Sequence, residues 1–484
     1  VIAGDYGRTN SDIGNTRQPL IGTRSVTGLG PIGSIYDTNG EITTFGHKEQ
    51  YGVSAKLTHN FGWANFTSTS AYRHIDVDSL LDGDGGPITY LRFRTPELTK
   101  TFQQEFLLNG DLGRLDLTAG LFYFHSSAGW NGYVATSSVV PSNNFILFSD
   151  QRTNSYAGFA QGTYKVTDRT KFTVGLRYTR DTRDIEATQF AREGNARPVG
   201  TLLNSTDLLP DDQTHRTFNK LTWRFAVDQQ VGDSSLLYAS YSRGFKSGVF
   251  STSSPFAPAV SPETLDAYEL GAKTDLFDRT LRLNLSGYYY RYSDIQLQAI
   301  NAAGATQLVN AALGHIKGAE GEITYAPRIA VGHLQFNVNL TYLDAKYVSF
   351  PNAIILTPRP TGGNVQTRGD LSGSDVLFSP RFTSSVTANY ERPITSDYKI
   401  GGSITWYHND GFFWDTQNRV RQPSYDIVNG QLTLSLPKDQ VKVRLFGRNL
   451  LDKKYYSQVS PSPTGDIQQP AAPRTYGVAF DFAL

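Results

Sequence analysis

Residues 334–342 read LQFNVNLTY. Leu334, Phe336, Val338, Leu340 and Tyr342 take every second position, with Gln335, Asn337, Asn339 and Thr341 between them. Successive side chains of a strand point to opposite faces, so this stretch makes a ribbon with one apolar face and one face of amides and hydroxyls. Working outward, Phe172, Val174, Leu176 and Tyr178 alternate with Thr173, Gly175, Arg177 and Thr179, and Tyr476, Val478, Phe480, Phe482 and Leu484 repeat the pattern at the far end. Alternation alone fits a soluble sandwich as well as a barrel. Segment length and the distribution of connections separate the two.

Eighteen such segments lie near 1–6, 51–60, 63–75, 98–108, 115–125, 152–165, 171–182, 217–230, 235–247, 264–276, 280–298, 311–326, 333–347, 380–392, 398–410, 425–436, 441–453 and 473–484, the first a stub. Most exceed the five or six residues usual in globular strands and meet the roughly 9–11 that a tilted membrane strand needs. Short turns at 61–62, 109–114, 166–170, 231–234, 277–279, 327–332, 393–397 and 437–440 alternate with long connections at 7–50, 76–97, 126–151, 183–216, 248–263, 299–310, 348–379, 411–424 and 454–472. Long loops at one end and short turns at the other describe an all-β, transmembrane, antiparallel up-and-down β-barrel with extracellular loops and periplasmic turns. The chain reads as one domain, 1–484, in the outer membrane of a Gram-negative bacterium. Lipid is expected to meet Phe172, Val174, Leu176, Leu334, Phe336, Val338 and Leu340, and the lumen Arg177, Gln335, Asn337 and Asn339.

Composition removes other classes. Cysteine is absent, which excludes disulfide scaffolds, thiolate metal sites and thiol nucleophiles. A net charge of +1 offers no surplus to neutralise phosphates, so nucleic acid is not an expected partner. No run reaches the roughly 18 apolar residues of a membrane helix. Five Trp, 27 Tyr and 28 Phe beside 45 Gly favour strands and turns, and clusters such as Tyr288, Tyr289 and Tyr290 suit interfacial girdles.

Four strings then carry a resemblance: YASYSRGFKSG at 238–248, SPETLDAYELGAKTDLFDRTLRLNLSGYYYRYSDIQ at 261–296, SPRFTSSVTANYE at 379–391 and FGRNLLDKKYY at 446–456. In this order and spacing they resemble the C-terminal part of the barrel of TonB-dependent outer-membrane receptors. The resemblance implies a barrel of about 22 strands with a plug inside it, and active uptake of a scarce ligand energised through TonB. Ferric siderophores are the leading substrates it implies, with haem, cobalamin and carbohydrates as alternatives. Eighteen strands, no plug and no TonB box imply an N-terminally truncated receptor, and a partly unpaired first edge implies that the chain alone neither closes nor transports. A passive porin of about 18 strands is the rival reading.

No nucleophile, paired-carboxylate or histidine set stands out, and neither enzymatic activity nor a bound cofactor is expected; a monomer is. Gly28–Gly33 spells GLGPIG, but with Pro31 inside it and a long loop around it the string is a flexible segment and not a dinucleotide fingerprint. Asp76, Asp78, Asp82 and Asp84 form an acidic loop that could offer oxygen ligands to Ca²⁺, although the EF-hand register is missing. Candidate substrate contacts are the loop aromatics Trp130, Tyr133 and Trp414, the last beside Phe412 and Phe413, for planar ligands, together with Arg243 and Lys246 for an anionic chelate.

Overall fold

A computed structural model describes residues 1–11, 17–300, 306–437 and 440–482. Among the described residues, eighteen long antiparallel strands form the wall. In chain order they are β1 (Ile2–Ser11), β2 (Phe45–Asn60), β3 (Ala64–Asp82), β4 (Glu97–Asp111), β5 (Leu115–Thr136), β6 (Phe145–Lys165), β7 (Thr170–Ala191), β8 (His215–Val231) and β9 (Ser235–Lys246). They continue with β10 (Glu263–Leu276), β11 (Leu281–Ile300), β12 (Thr306–Tyr325), β13 (His333–Ser349), β14 (Phe382–Pro393), β15 (Lys399–Asn409), β16 (Tyr425–Ser435), β17 (Val441–Arg448) and β18 (Thr475–Phe482). Short pieces at Arg92–Arg94 and Leu202–Ser205 join the same sheet. Each strand pairs with its neighbours in chain order, the up-and-down topology that leaves few backbone groups without a partner in lipid.

Side-chain turns set the short ends. Asn60 Oδ1 accepts the Gly62 amide at 2.6 Å, Asp111 Oδ1 accepts the Gly113 amide at 2.9 Å, and both glycines sit at positive φ, where an asparagine or aspartate turn needs a residue free of a Cβ.

Register fixes the faces. Leu176, Val174 and Phe172 oppose Trp223, Phe225 and Val227, while Leu334, Phe336 and Val338 oppose Tyr390, Ala388 and Val386. Directly opposed residues share a face, and the row Val174, Phe225, Tyr241, Tyr268, Tyr289, Lys317, Asp344 links the two groups across the wall. This outward face keeps large apolar side chains open, among them Leu121, Leu176, Leu270 and Leu432. Arg177 points the other way, its guanidinium 5.5 Å and 5.4 Å from the Phe122 and Phe159 ring centres. His47, His74, His125, His215, His315 and His408, dispersed in sequence, all fall on the outward face near the long-loop ends of their strands.

Two sequence expectations change. The first strand is ten residues and not a six-residue stub, because Gly7–Ser11 continue in register against Gln50–Gly46. Several expected loops are strand: β5 and β7 reach 22 residues each, and the connection between β5 and β6 shrinks to 137–144. Roughly 9–11 residues suffice to cross, so the surplus rises beyond the bilayer, where hydrogen bonding continues after apolar alternation has ended. Part of the expected loop 299–310 lies outside the described residues. Among the described residues no registered pair joins β18 to β1, so both keep a free edge.

Candidate ligand vestibule

Four segments from distant parts of the chain meet above the wall: 17–44, 350–381, 410–424 and 449–474. Their joint is polar and buried. Arg419 grips Asp466 through two hydrogen bonds of 2.6 and 2.7 Å, with the Asp466 side chain only 1% exposed. Asn364 donates to Asp466 Oδ1 at 3.1 Å and to the Ser462 carbonyl at 2.6 Å. The Leu20 amide donates to the Asp466 carbonyl at 2.7 Å, and Gln18 and Pro19 add a strand to the hairpin of Tyr456–Ser462 and Gly465–Pro470.

Beside this joint stand two apolar clusters. Trp414, Val420 and Val459 pack with Leu20, Phe412 and Tyr456, and Ile295, Ala312, Tyr347, Phe350 and Ala353 pack with Leu371 and Val376. A cavity of about 480 Å³ opens between them, walled by Leu297, Phe350, Leu356 and Trp414, with Arg368, Asp415 and Gln417 on its polar side. Gln417 is spent on bridging the Leu356 amide and carbonyl at 2.7 and 2.8 Å. Asp415 accepts the Arg419 and Val420 amides at 2.8 and 2.9 Å, and burial raises its pKa above the usual carboxylate range. Arg368 is exposed, and among the described residues its side chain holds only the Asn352 carbonyl, at 3.2 Å, which leaves most of its donors open to an anion. An apolar hollow with one open guanidinium suits an organic anion with planar or aliphatic parts.

The candidates from sequence are not brought together. Trp414 lines this cavity, with Phe412 and Phe378 rings at 4.9 and 5.5 Å. Trp130 and Tyr133 lie 5.5 Å apart on the upper part of β5, not in a loop, and Tyr133 packs between Phe93 and Phe145. Arg243 is on the outward face, opposite Trp223, and is bound to Asp266 by bonds of 2.7 and 2.6 Å while stacking on the Trp223 ring at 4.5 Å. Lys246 reaches the buried Glu263 at 3.4 Å, a carboxylate also held by Tyr292 and by the Gln296 amide at 2.6 Å. Arg368, Arg419 and Asp466 were not foreseen, since each sits alone in a loop with no spacing that signals a partner.

The acidic segment also separates. Asp76 and Asp78 are on strand β3, and Asp78 pairs with Arg94 at 3.0 and 2.8 Å. Asp82 closes the same strand and Asp84 lies in the loop beyond; both are buried, and Asp82 Oδ1 accepts the Asp84 and Gly85 amides at 3.0 and 2.8 Å. Among the described residues no group of three or more acidic, histidine or cysteine side chains is placed to hold a metal ion. Burial is the largest influence on Asp84 and lifts its pKa to about 7, against the Leu91 amide and with help from the charges of Asp82 and Glu41. The folded loop therefore holds a proton that the open loop releases near pH 4, and its stability falls as pH rises from about 4 to about 7, by at most about 4 kcal/mol. The protection of residues 83–91 against hydrogen exchange, corrected for the base-catalysed rise in intrinsic rate, should fall across this range, and Asp84→Asn should flatten that profile. Equal pH profiles in both proteins would show that Asp84 does not control the loop.

Lipid-facing wall and loop cap together define an outer-membrane β-barrel with long loops gathered at one end. The family model for the TonB dependent receptor-like beta-barrel matches residues 2–450, and the chain belongs to that family. No curated protein matches it by sequence. Among solved structures it is similar to the ferric yersiniabactin uptake receptor FyuA from Yersinia pestis (TM-score 0.71, 16% identity, 90% of this chain and 61% of that one). It is also similar to the siderophore receptor PiuA from Acinetobacter baumannii (TM-score 0.70, 15% identity, 99% and 71%) and to the ferric-catecholate import receptor Fiu from E. coli K12 (TM-score 0.69, 13% identity, 99% and 71%). The chain thus spans 61% of the length of FyuA and 71% of that of PiuA and Fiu.

Proposed function

We propose that this receptor takes up a scarce small molecule across the outer membrane, a ferric siderophore, with energy relayed by TonB. The observation that carries the reading is the cavity of about 480 Å³ with Trp414 and Arg368 on its wall, set among loops of a barrel whose structural neighbours include siderophore receptors. Ferric siderophores are commonly anionic chelates with planar rings, a chemistry this lining accommodates. The same proposal includes further strands that complete the wall and a plug that fills it. The free edges of β1 and β18 support this, because an unpaired edge in lipid costs several kcal/mol for each exposed backbone group. A passive pore of eighteen strands would need those two edges joined.

Cells carrying the receptor as their sole route for a radiolabelled ferric chelate should accumulate the label, and loss of TonB should abolish accumulation but not surface binding. Arg368→Gln should weaken surface binding by about tenfold, the worth of one charged hydrogen bond. Accumulation that persists without TonB would favour the passive pore, and unchanged binding by the Arg368 variant would move the ligand out of this cavity.

A further inference from the structure

The lumenal face of β7 and β8 is strongly basic. Pairing with β6 and with each other puts Lys171, Arg177 and Arg183 on the lumenal face of β7, and Arg216, Lys220 and Arg224 on the matching face of β8. Two carboxylates share this face, Asp181 on β7 and Asp228 on β8. The lumenal positions of the flanking strands, the odd residues of β6 and the even residues of β9, include no carboxylate. Among the described residues no ion pair engages any of the six cations, and Lys171, Arg216 and Arg224 are exposed.

The cations form a ladder along the two strands. Arg216, Lys220 and Arg224 follow one another at intervals of four residues on β8, about 13 Å at roughly 3.3 Å for each residue. Arg177 lies opposite Thr222, midway between Lys220 and Arg224, and Lys171 lies opposite Asp228 near the turn end. At the loop end Arg216 lies directly opposite Arg183, and like charges placed so repel. An anion seated between the two guanidinium groups removes that repulsion. Arg177 is already oriented: its guanidinium leans on Phe122 and Phe159, and its Nε donates to Thr179 at 3.2 Å. Among the described residues its terminal nitrogens have no acceptor.

Further round the wall the sign reverses. Glu269 on β10 and Glu320 and Glu322 on β12 share the lumenal face, with Tyr238 donating to Glu269 at 2.6 Å and Asn284 to Glu322 at 3.1 Å. They outnumber Lys273 there, since Arg282 is bound to Asp275 at 2.8 Å. An anion in the lumen is repelled from that side and drawn to β7 and β8, and the low-dielectric wall strengthens both effects.

We propose that the lumenal face of β7 and β8 is a cationic track along which an anionic ligand passes from the loop end of the barrel toward its turns. This role rests on the uptake reading above, and adds to it the charge of the cargo and the strands that the cargo follows. A series of single cations suits passage better than one deep site, because each holds the anion weakly enough to release it to the next.

The test uses the whole receptor with Thr222→Cys, between Arg177 and Arg224, as its one thiol. Its rates of labelling by anionic 2-sulfonatoethyl and cationic 2-(trimethylammonio)ethyl methanethiosulfonate are compared, each relative to a free thiol. The anionic reagent should be favoured, and the preference should shrink as salt rises. Changing Arg177→Gln, Lys220→Gln and Arg224→Gln together should lower the ratio by about tenfold, while Arg152→Gln, on the outward face, should leave it unchanged. In cells supplied with a saturating radiolabelled ferric tris-catecholate, a trianion, the triple variant should accumulate the label at least tenfold more slowly than the parent. Should the triple variant fail to fold, Arg224→Gln alone, which breaks no ion pair, should still lower the labelling ratio several-fold. A ratio equal to that of free thiol, a ratio unmoved in both variants, or parent-like accumulation by the triple variant would overturn the track. So would a thiol that reacts with neither reagent, the result expected if the strip is packed against an acidic surface of a plug. The labelling ratio needs no transported ligand, so loss of uptake in the parent counts against the transport reading and a flat ratio against the track.

Discussion

Arginine at Val338 should destabilise the barrel by about 2–4 kcal/mol, while arginine at Asn337, one residue away, should be tolerated. Val338 opposes Ile323 on β12 and Val386 on β14, a row that looks into lipid from mid-strand. A guanidinium there must shed its water or drag water and headgroups into the hydrocarbon. Asn337 opposes Thr324 and Thr387 on the other face, where its Oδ1 accepts from Gln335 at 2.9 Å and from Thr324 at 3.3 Å, and a cation can stay solvated. Urea unfolding of the receptor in lipid micelles, followed by tryptophan fluorescence, should separate the two by the shift in midpoint. A larger loss at Asn337 would reverse the face assigned to β13, because a one-residue slip exchanges every side chain of a strand between faces, and equal losses would sink the assignment.

Breaking the Arg419–Asp466 pair should have a comparable but local effect. Arg419→Ala leaves the Asp466 carboxylate buried with Asn364 as its remaining side-chain donor, a situation that costs roughly 3–5 kcal/mol when one partner of a buried pair is removed. The loss should fall on the loop cap and leave the wall intact: hydrogen exchange should rise in 17–44, 350–381 and 454–472 and stay unchanged in β5–β7. The double change Arg419→Met with Asp466→Leu should recover much of the loss, since no charge is then left unpaired. A single variant that exchanges like the parent would show that the loops hold together through their apolar clusters alone.

Strand existence, topology and facing were legible in the sequence because lipid enforces them. A barrel wall must turn every second side chain to hydrocarbon, so the period of LQFNVNLTY in 334–342 carries the face of β13, and the alternation of short and long connections carries the up-and-down order. The same cause limits what can be read. Above the bilayer both faces of a strand meet water, alternation lapses, and Gly7–Ser11, 126–136 and 183–191 pass for loop although their backbones remain paired. Register then decided what period could not. It placed Arg243 outward against Asp266 and set Arg291, His315 and Lys346 opposite one another on three neighbouring strands. The vestibule was the least legible part. Arg419 and Asp466 are 47 residues apart, and Asn364 and Asp466 are 102 apart. Loop contacts of that range follow no period, so only the three-dimensional closure of the cap brings them together and sets Trp414 and Arg368 around one cavity.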